Sequence, residues 1–285
     1  MTDSRNPLVL IVDDDLDTRE LYRMVLESVG YRVEDVGLVQ RAIAAVAAQV
    51  PDVVLTDWLL PDGTGLEVCR ALRAGRTTRR VPVVAVTGMA LDESGLSAAR
   101  NEGIAGMLRK PANPDDILAA IRSGLARATE RRLCDAAMRT RRYAEHVRRR
   151  AGARGTNGCE VRMDAGLLLR RAASRSDEAI TLVIADDAGH YLAASGATRA
   201  LTGYDAAELT GLSVWDLTPL PKAADGRGLW KEFIAAGMQH GQYVLRRRDG
   251  QPVEAQYYAV ANIAPGWHVS AIAELPDLPV TLGAS

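Results

Sequence analysis

Residues 53–63 read Val53-Val-Leu-Thr-Asp57-Trp-Leu-Leu-Pro61-Asp-Gly63. A short apolar run ends on a single carboxylate and then enters a proline–glycine turn. A run that does not alternate fits a strand covered on both faces. Working outward, four more short strands are read at Leu8–Val12, Tyr31–Val36, Val81–Val86 and Ile104–Leu108. Helical stretches separate them. Leu21, Met24, Val25 and Val29 share one face, and Gly30 stands where a C′ residue belongs. Val39–Gln49 is an Ala-rich helix, Leu66–Arg73 follows the loop Leu60–Gly65, and Asp92–Asn101 lies between the last two strands. Asn113-Pro-Asp-Asp116 opens a final helix, with a capping Asn, a Pro at the first turn and two acids at the positive end of the dipole. Five strands alternating with helices predict an α/β fold, a doubly wound five-stranded parallel sheet.

At 285 residues the chain has room for about two domains. Lys+Arg 35 against Asp+Glu 36 leaves a net charge of −1, so no overall basic bias points to nucleic acid. Three widely spaced cysteines, Cys69, Cys134 and Cys159, argue against a disulfide framework and a zinc site, and they suit a reducing compartment. Neither a signal peptide nor a membrane-length apolar run is read, which implies a cytoplasmic chain.

Residues 127–154 change character: ten Arg against three acids give +7 and leave −8 for the remainder. This stretch begins a helical, Arg-rich linker assigned to 127–175, with a thin heptad pattern and a break at Gly152–Gly158. Residues 176–276 then read as α+β. Thr181–Ala185 and His190–Ala194 flank a hairpin turn, and short helices follow at Ala197–Leu201, Ala206–Leu209 and Gly228–Ala236. Strands at Gln242–Arg248, Val253–Ala261 and Trp267–Glu274 complete an antiparallel sheet. Residues 277–285 are assigned to a tail.

In a doubly wound sheet, ligands gather outside the carboxyl ends of the strands. Asp13 and Asp14 close the first strand, Asp57 the third and Thr87 the fourth, while Lys110 follows the fifth. Clustered carboxylates repel one another. A hard divalent cation relieves that repulsion, and Mg²⁺ suits an incomplete oxygen shell. With Lys110 and Thr87 added, the set stabilises negative charge on an oxygen-rich group, and Asp57 is the candidate nucleophile for phosphoryl transfer. Asp15 and Asp17 are read as turn or cap residues. An EF-hand is rejected, because Thr18 and Met24 stand where its Gly and Glu belong.

Residues 1–126 resemble a response-regulator receiver domain, carried by Val12-Asp-Asp14, Leu55-Thr-Asp-Trp58 with Pro61-Asp-Gly63, Val86-Thr-Gly88 and Lys110-Pro111. The resemblance implies a flavodoxin-like fold and a histidine kinase or phosphotransfer protein as donor to Asp57. It further implies Mg²⁺ on Asp13, Asp14, Asp57 and the Leu59 backbone carbonyl, Lys110 on the acyl phosphate, Thr87 as a switch, and a cis Lys110–Pro111 bond. The chain would be a phosphoacceptor and not a turnover enzyme. Met107 stands where such domains usually carry a switching aromatic. Leu59 and Met89 are apolar where this family tunes water attack, which implies slow loss of phosphate.

Residues 176–276 resemble a PAS domain through Ser195-Gly-Ala-Thr-Arg-Ala-Leu-Thr-Gly-Tyr204, Ala207-Glu-Leu-Thr-Gly211 and Trp215-Asp-Leu217. Ser195 replaces the usual Asn. Lacking cysteine, this region cannot form a thiol-linked chromophore, and no ligand is assigned to it. His190, His240 and His268 are read as solvated or edge residues. Trp215, Trp230, Phe233, Tyr243 and Trp267 are read as core. The resemblance implies a homodimer, formed through the PAS domain, the linker or a receiver face. Two other functions are weighed. One is a haloacid-dehalogenase-like phosphohydrolase with Asp13 as nucleophile, which leaves Asp57 unexplained and meets Asp17 where Thr or Val is needed. The other is a transcriptional regulator gripping nucleic acid through the Arg-rich stretch, which lacks any accompanying recognition motif.

Overall fold

The computed structural model describes residues 6–89, 93–153, 164–172, 179–195, 197–219 and 223–275. The assigned tail and most of the helix break at 152–158 lie outside the described residues. The chain divides into two compact units, one running through Ala128 and the other covering Thr129–Leu275.

The first unit alternates strand and helix: β1 (Leu8–Val12), α1 (Leu16–Ser28), β2 (Arg32–Val36), α2 (Val39–Ala48), β3 (Val53–Asp57), a small hairpin β4 (Leu59–Leu60) and β5 (Gly63–Thr64), α3 (Gly65–Ala74), β6 (Val83–Thr87), α4 (Glu93–Asn101), β7 (Gly106–Arg109) and the start of α5 (Pro114–Ala153). The five long strands are parallel, in the order β2-β1-β3-β6-β7. Their apolar runs are explained by burial on both faces. Val9, Ile11, Val53, Leu55, Val84 and Val86 pack on α1 and α5, through Leu26, Ile117 and Ile121. Leu10, Val12, Val54 and Val83 point the other way, onto Val39, Ala42 and Val46 of α2 and Val68, Cys69 and Leu72 of α3. Asp15 caps α1, its side chain accepting from Thr18 N, and Asp17 lies in the first turn of the helix. The sequence reading missed the β4–β5 hairpin.

The second unit contains the rest of α5, α6 (Ala165–Ala172), β8 (Thr181–Asp186), β9 (Tyr191–Ala194), α7 (Thr198–Thr202), α8 (Ala206–Leu209), α9 (Ala223–Ala236), β10 (Met238–Arg246), β11 (Pro252–Ala264) and β12 (Trp267–Glu274). The sheet is antiparallel, in the order β10-β11-β12-β8-β9. Strand alternation sends Val183, Ala185, Val253, Ala255 and Ile272 to a core shared with Leu201, Leu209 and Leu217. Leu182, Ile184, Val260, Val269 and Ala271 face the other side, where Leu133, Ala136, Ala137 and Ala144 of α5 and Leu168 and Leu169 of α6 cover them.

The Arg-rich stretch is therefore one side of a helix whose other side belongs to a core. Leu133, Ala136, Ala137, Thr140 and Ala144 are buried, while Arg131, Arg142, Arg148 and Arg149 are exposed. Among the described residues no helix is long and apolar enough to cross a membrane.

Candidate functional site

The site forms at the carboxyl ends of the neighbouring parallel strands β1 and β3. Asp13 follows β1, and its N–H donates to Val36 O at 3.1 Å. Asp57 ends β3, and Gly65 opens α3 directly behind it. A Cβ on Gly65 would lie 2.5 Å from the Asp57 carbonyl oxygen, so only glycine allows this approach. Asp13 is 1% exposed, Asp57 is half-buried and Asp14 is exposed. One carboxylate oxygen from each of the three lies within 4.8 Å of the others.

Lys110 closes the group. Its Nζ donates to Asp13 Oδ2 at 2.7 Å and to Asp57 Oδ2 at 2.6 Å. Its backbone N–H donates to Thr87 O at 2.7 Å, and the peptide to Pro111 is cis. Burial pushes the Asp13 carboxyl pKa up, against the pull of the Lys110 hydrogen bond. Burial also works against charge on Lys110, but its bonds to Asp13 and Asp57 prevail and hold the ammonium well above its ordinary range.

Asp13, Asp14, Asp57 and Lys110 thus come together. Thr87 ends β6, buried, with Oγ1 accepting from Met89 N at 3.1 Å; no hydrogen bond to Asp57 is found among the described residues. The Leu59 N–H donates to Asp57 Oδ1 at 3.3 Å, at the start of β4. Met107 is half-buried on β7, opposite Ala85 of β6. The Leu59 and Met89 side chains are exposed. The donor set is hard oxygen, with one exposed carboxylate leaving room for water, and it fits Mg²⁺.

Two supports escaped the sequence reading. Asp62, read as a turn residue, accepts from Val39 N at 2.8 Å and Gln40 N at 3.0 Å, tying the loop after Asp57 to the start of α2. These backbone donors lower its carboxyl pKa. Arg19 donates through Nη1 to Asp13 O at 2.6 Å and through Nε to Asp35 Oδ1 at 3.1 Å. Neither contact has a local spacing to announce it.

Residues 9–122 match the response regulator receiver domain model, and residues 174–270 match a PAS fold model. The first unit is a receiver domain. Phosphate regulon transcriptional regulatory protein PhoB of Pseudomonas aeruginosa is 29% identical over 119 residues, 42% of this chain and 52% of that protein. DNA-binding response regulator MtrA of Mycobacterium tuberculosis is 33% identical over 125 residues, 44% of this chain and 53% of that protein. The chain spans about half the length of these curated relatives. Chemotaxis response regulator CheY4 of Vibrio cholerae, a solved structure, is 28% identical and covers 42% of this chain and 99% of its own, with a TM-score of 0.40. Receiver domains bind Mg²⁺ at an acidic pocket, work with histidine kinases and serve in signalling.

In the PAS fold, two of the three histidines stand as expected and His268 does not. His190 and His240 are exposed, His240 paired with Glu130 at 2.8 Å. His268 is 1% exposed, its ring against Trp230 and Phe233 at 5.5 and 5.8 Å. It is a core residue because both nitrogens are satisfied: Nδ1 accepts from Asn262 N at 3.2 Å, and Nε2–H donates to Asp187 Oδ1 at 3.0 Å. The aromatics are also divided, with Trp230 and Tyr243 on one sheet face and Trp267 on the other.

Burial lowers the His268 pKa despite Asp187. The unfolded chain therefore takes up the proton first. This contribution to stability is complete above the ordinary imidazole value of 6.5 and is lost as pH falls from there through the depressed folded value. Urea midpoints followed by tryptophan fluorescence should decline below about pH 6.5 in the parent and decline less in His268→Gln. Equal slopes would refute the assignment.

Proposed function

We propose that the protein is a response regulator of a two-component phosphorelay, accepting a phosphoryl group on Asp57 from a histidine kinase or phosphotransfer protein. The observation that carries this reading is the convergence of the Asp13 and Asp57 carboxylates on one ammonium, that of Lys110, at the end of a parallel sheet. An Asp57 oxygen attacks phosphorus as the P–N bond to the donor imidazole breaks and its electron pair leaves with the ring nitrogen. Lys110 exchanges its bond to the Asp57 carboxylate for one to a phosphoryl oxygen. Thr87 gives up its turn bond to Met89 N and swings its hydroxyl to the same group, and Met107 repacks beside it. Asp13, Asp14, Asp57 and the Leu59 carbonyl would hold Mg²⁺, which when bound neutralises charge on the transferring oxygens.

The charge change biases a two-state receiver, and α5 carries the bias to the PAS domain. The output we propose is a change in homodimer pairing, through the PAS domain, the linker or a receiver face, in a cytoplasmic protein. We assign the PAS domain no ligand and nucleic acid no role. The sequence modules we propose are receiver 1–126, helical linker 127–175, PAS domain 176–276 and tail 277–285, with the linker helices folding as part of the second unit. The chain is a phosphoacceptor, not a turnover enzyme.

The test is a low-molecular-weight phosphodonor with Mg²⁺, followed by mass mapping. One phosphoryl group on Asp57, and none on Asp57→Asn, is expected. Label on Asp13 would instead favour the hydrolase reading. After donor removal the label should persist beyond seconds, since neither Leu59 nor Met89 can orient a water. Loss within seconds would refute slow hydrolysis.

A further inference from the structure

We propose that Arg19 is a positioning residue for the acidic cluster, an inference that rests on the Mg²⁺-dependent reading above. Its side chain is 15% exposed and reaches from α1 across the ends of β1 and β2. Nη1 donates to the Asp13 carbonyl at 2.6 Å, while Nε donates to Asp35 Oδ1 at 3.1 Å. Asp35 also pairs with Arg23, which holds its carboxylate in place for Arg19. The Asp13 N–H is meanwhile taken by Val36 O at 3.1 Å. Both backbone polar groups of Asp13 are therefore bound, one by β2 and one by Arg19. That pins the peptide leading into Asp14 and aims the Asp13 carboxylate at Lys110.

The geometry needs an arginine. Two nitrogens of one planar group satisfy two acceptors at once, which a single ammonium on a flexible stem does not reproduce. Gly37 supports the same reading independently. A Cβ there would lie 3.1 Å from Arg19 Nη1, 3.5 Å from Asp13 O and 3.7 Å from Asp14 Cα. The slot beside the guanidinium is kept open by the one residue without a side chain. A methyl at position 37 presses on this clamp without altering Arg19 itself.

A plain α1–β2 salt bridge would affect stability alone. A positioning role moves cation affinity as well. The experiment titrates Mg²⁺ into the full chain at fixed ionic strength and follows Trp58, next to Asp57 and half-buried, with Asp57→Asn as the control that assigns the signal. Urea unfolding accompanies each variant. Groups that orient metal ligands typically change affinity by about 10–100-fold when removed, so Arg19→Met and Arg19→Lys should both raise the Kd roughly tenfold. The lysine variant keeps the charge, so its failure to rescue isolates the fork. Gly37→Ala should weaken binding less, in the same direction. Asp35→Asn, which leaves the carbonyl bond, should cost stability more than affinity. Parent-like Kd values in both Arg19 variants would overturn the inference and leave the phosphoacceptor reading intact. No Mg²⁺ response in the parent would overturn both.

Discussion

A fragment of residues 176–275 is expected to aggregate or to lack cooperative unfolding, whereas residues 129–275 should fold as a soluble unit. The shorter piece keeps every strand of the antiparallel sheet but loses what covers one face. Leu182, Ile184, Val260, Ile263 and Val269 are each buried there beneath Leu133, Ala136 and Ala137 of α5 and Leu168 and Leu169 of α6. Exposing a large apolar side chain costs about 1.5–3 kcal/mol, so five of them cost at least ~7 kcal/mol. A whole domain is stable by only about 5–15 kcal/mol. The remaining apolar face is also an aggregation surface. Size-exclusion chromatography and urea melts of the two fragments decide the matter. A monomeric 176–275 fragment melting like the longer one would show that α5 and α6 add nothing.

Replacing Lys110 with Met should move two measurements in opposite directions. Lys110 Nζ bonds both Asp13 and Asp57, so in the resting site it competes with any cation for those oxygens. Without it, Mg²⁺ should bind at least as tightly as in the parent. Phosphoryl uptake should nonetheless slow about 100-fold, the usual cost of removing one preorganised charge donor from a developing oxyanion. Methionine approximates the stem's volume, which limits the packing penalty. The checks are Mg²⁺ titration and the rate of label incorporation from a small phosphodonor at saturating Mg²⁺. Parent-rate uptake in Lys110→Met would remove Lys110 from the mechanism.

The receiver site was legible because its chemistry sits at strand ends, and strands declare themselves by composition. Once Leu8–Val12 and Val53–Thr56 are strands of one parallel sheet, Asp13, Asp14 and Asp57 share an edge. Arg19 and Asp62 were not legible, since each acts on backbone groups of a different element, at distances along the chain that no periodicity encodes. His268 was misread for a related reason. Its neighbours in sequence form a strand end, but its burial depends on α9 and on a bulge in β11, where Asn262 adopts φ 54°. The thin heptad pattern of the Arg-rich stretch did not announce that Leu133, Ala136, Ala137 and Ala144 cover a sheet, because small side chains among many Arg leave little periodic signal.

The helix that serves both interiors has a stretch, residues 126–132, that lies between Leu125, the last side chain packed in one, and Leu133, the first in the other. A genetic crossover that exchanges either module must therefore fall inside a continuous spiral and not in a loose tether.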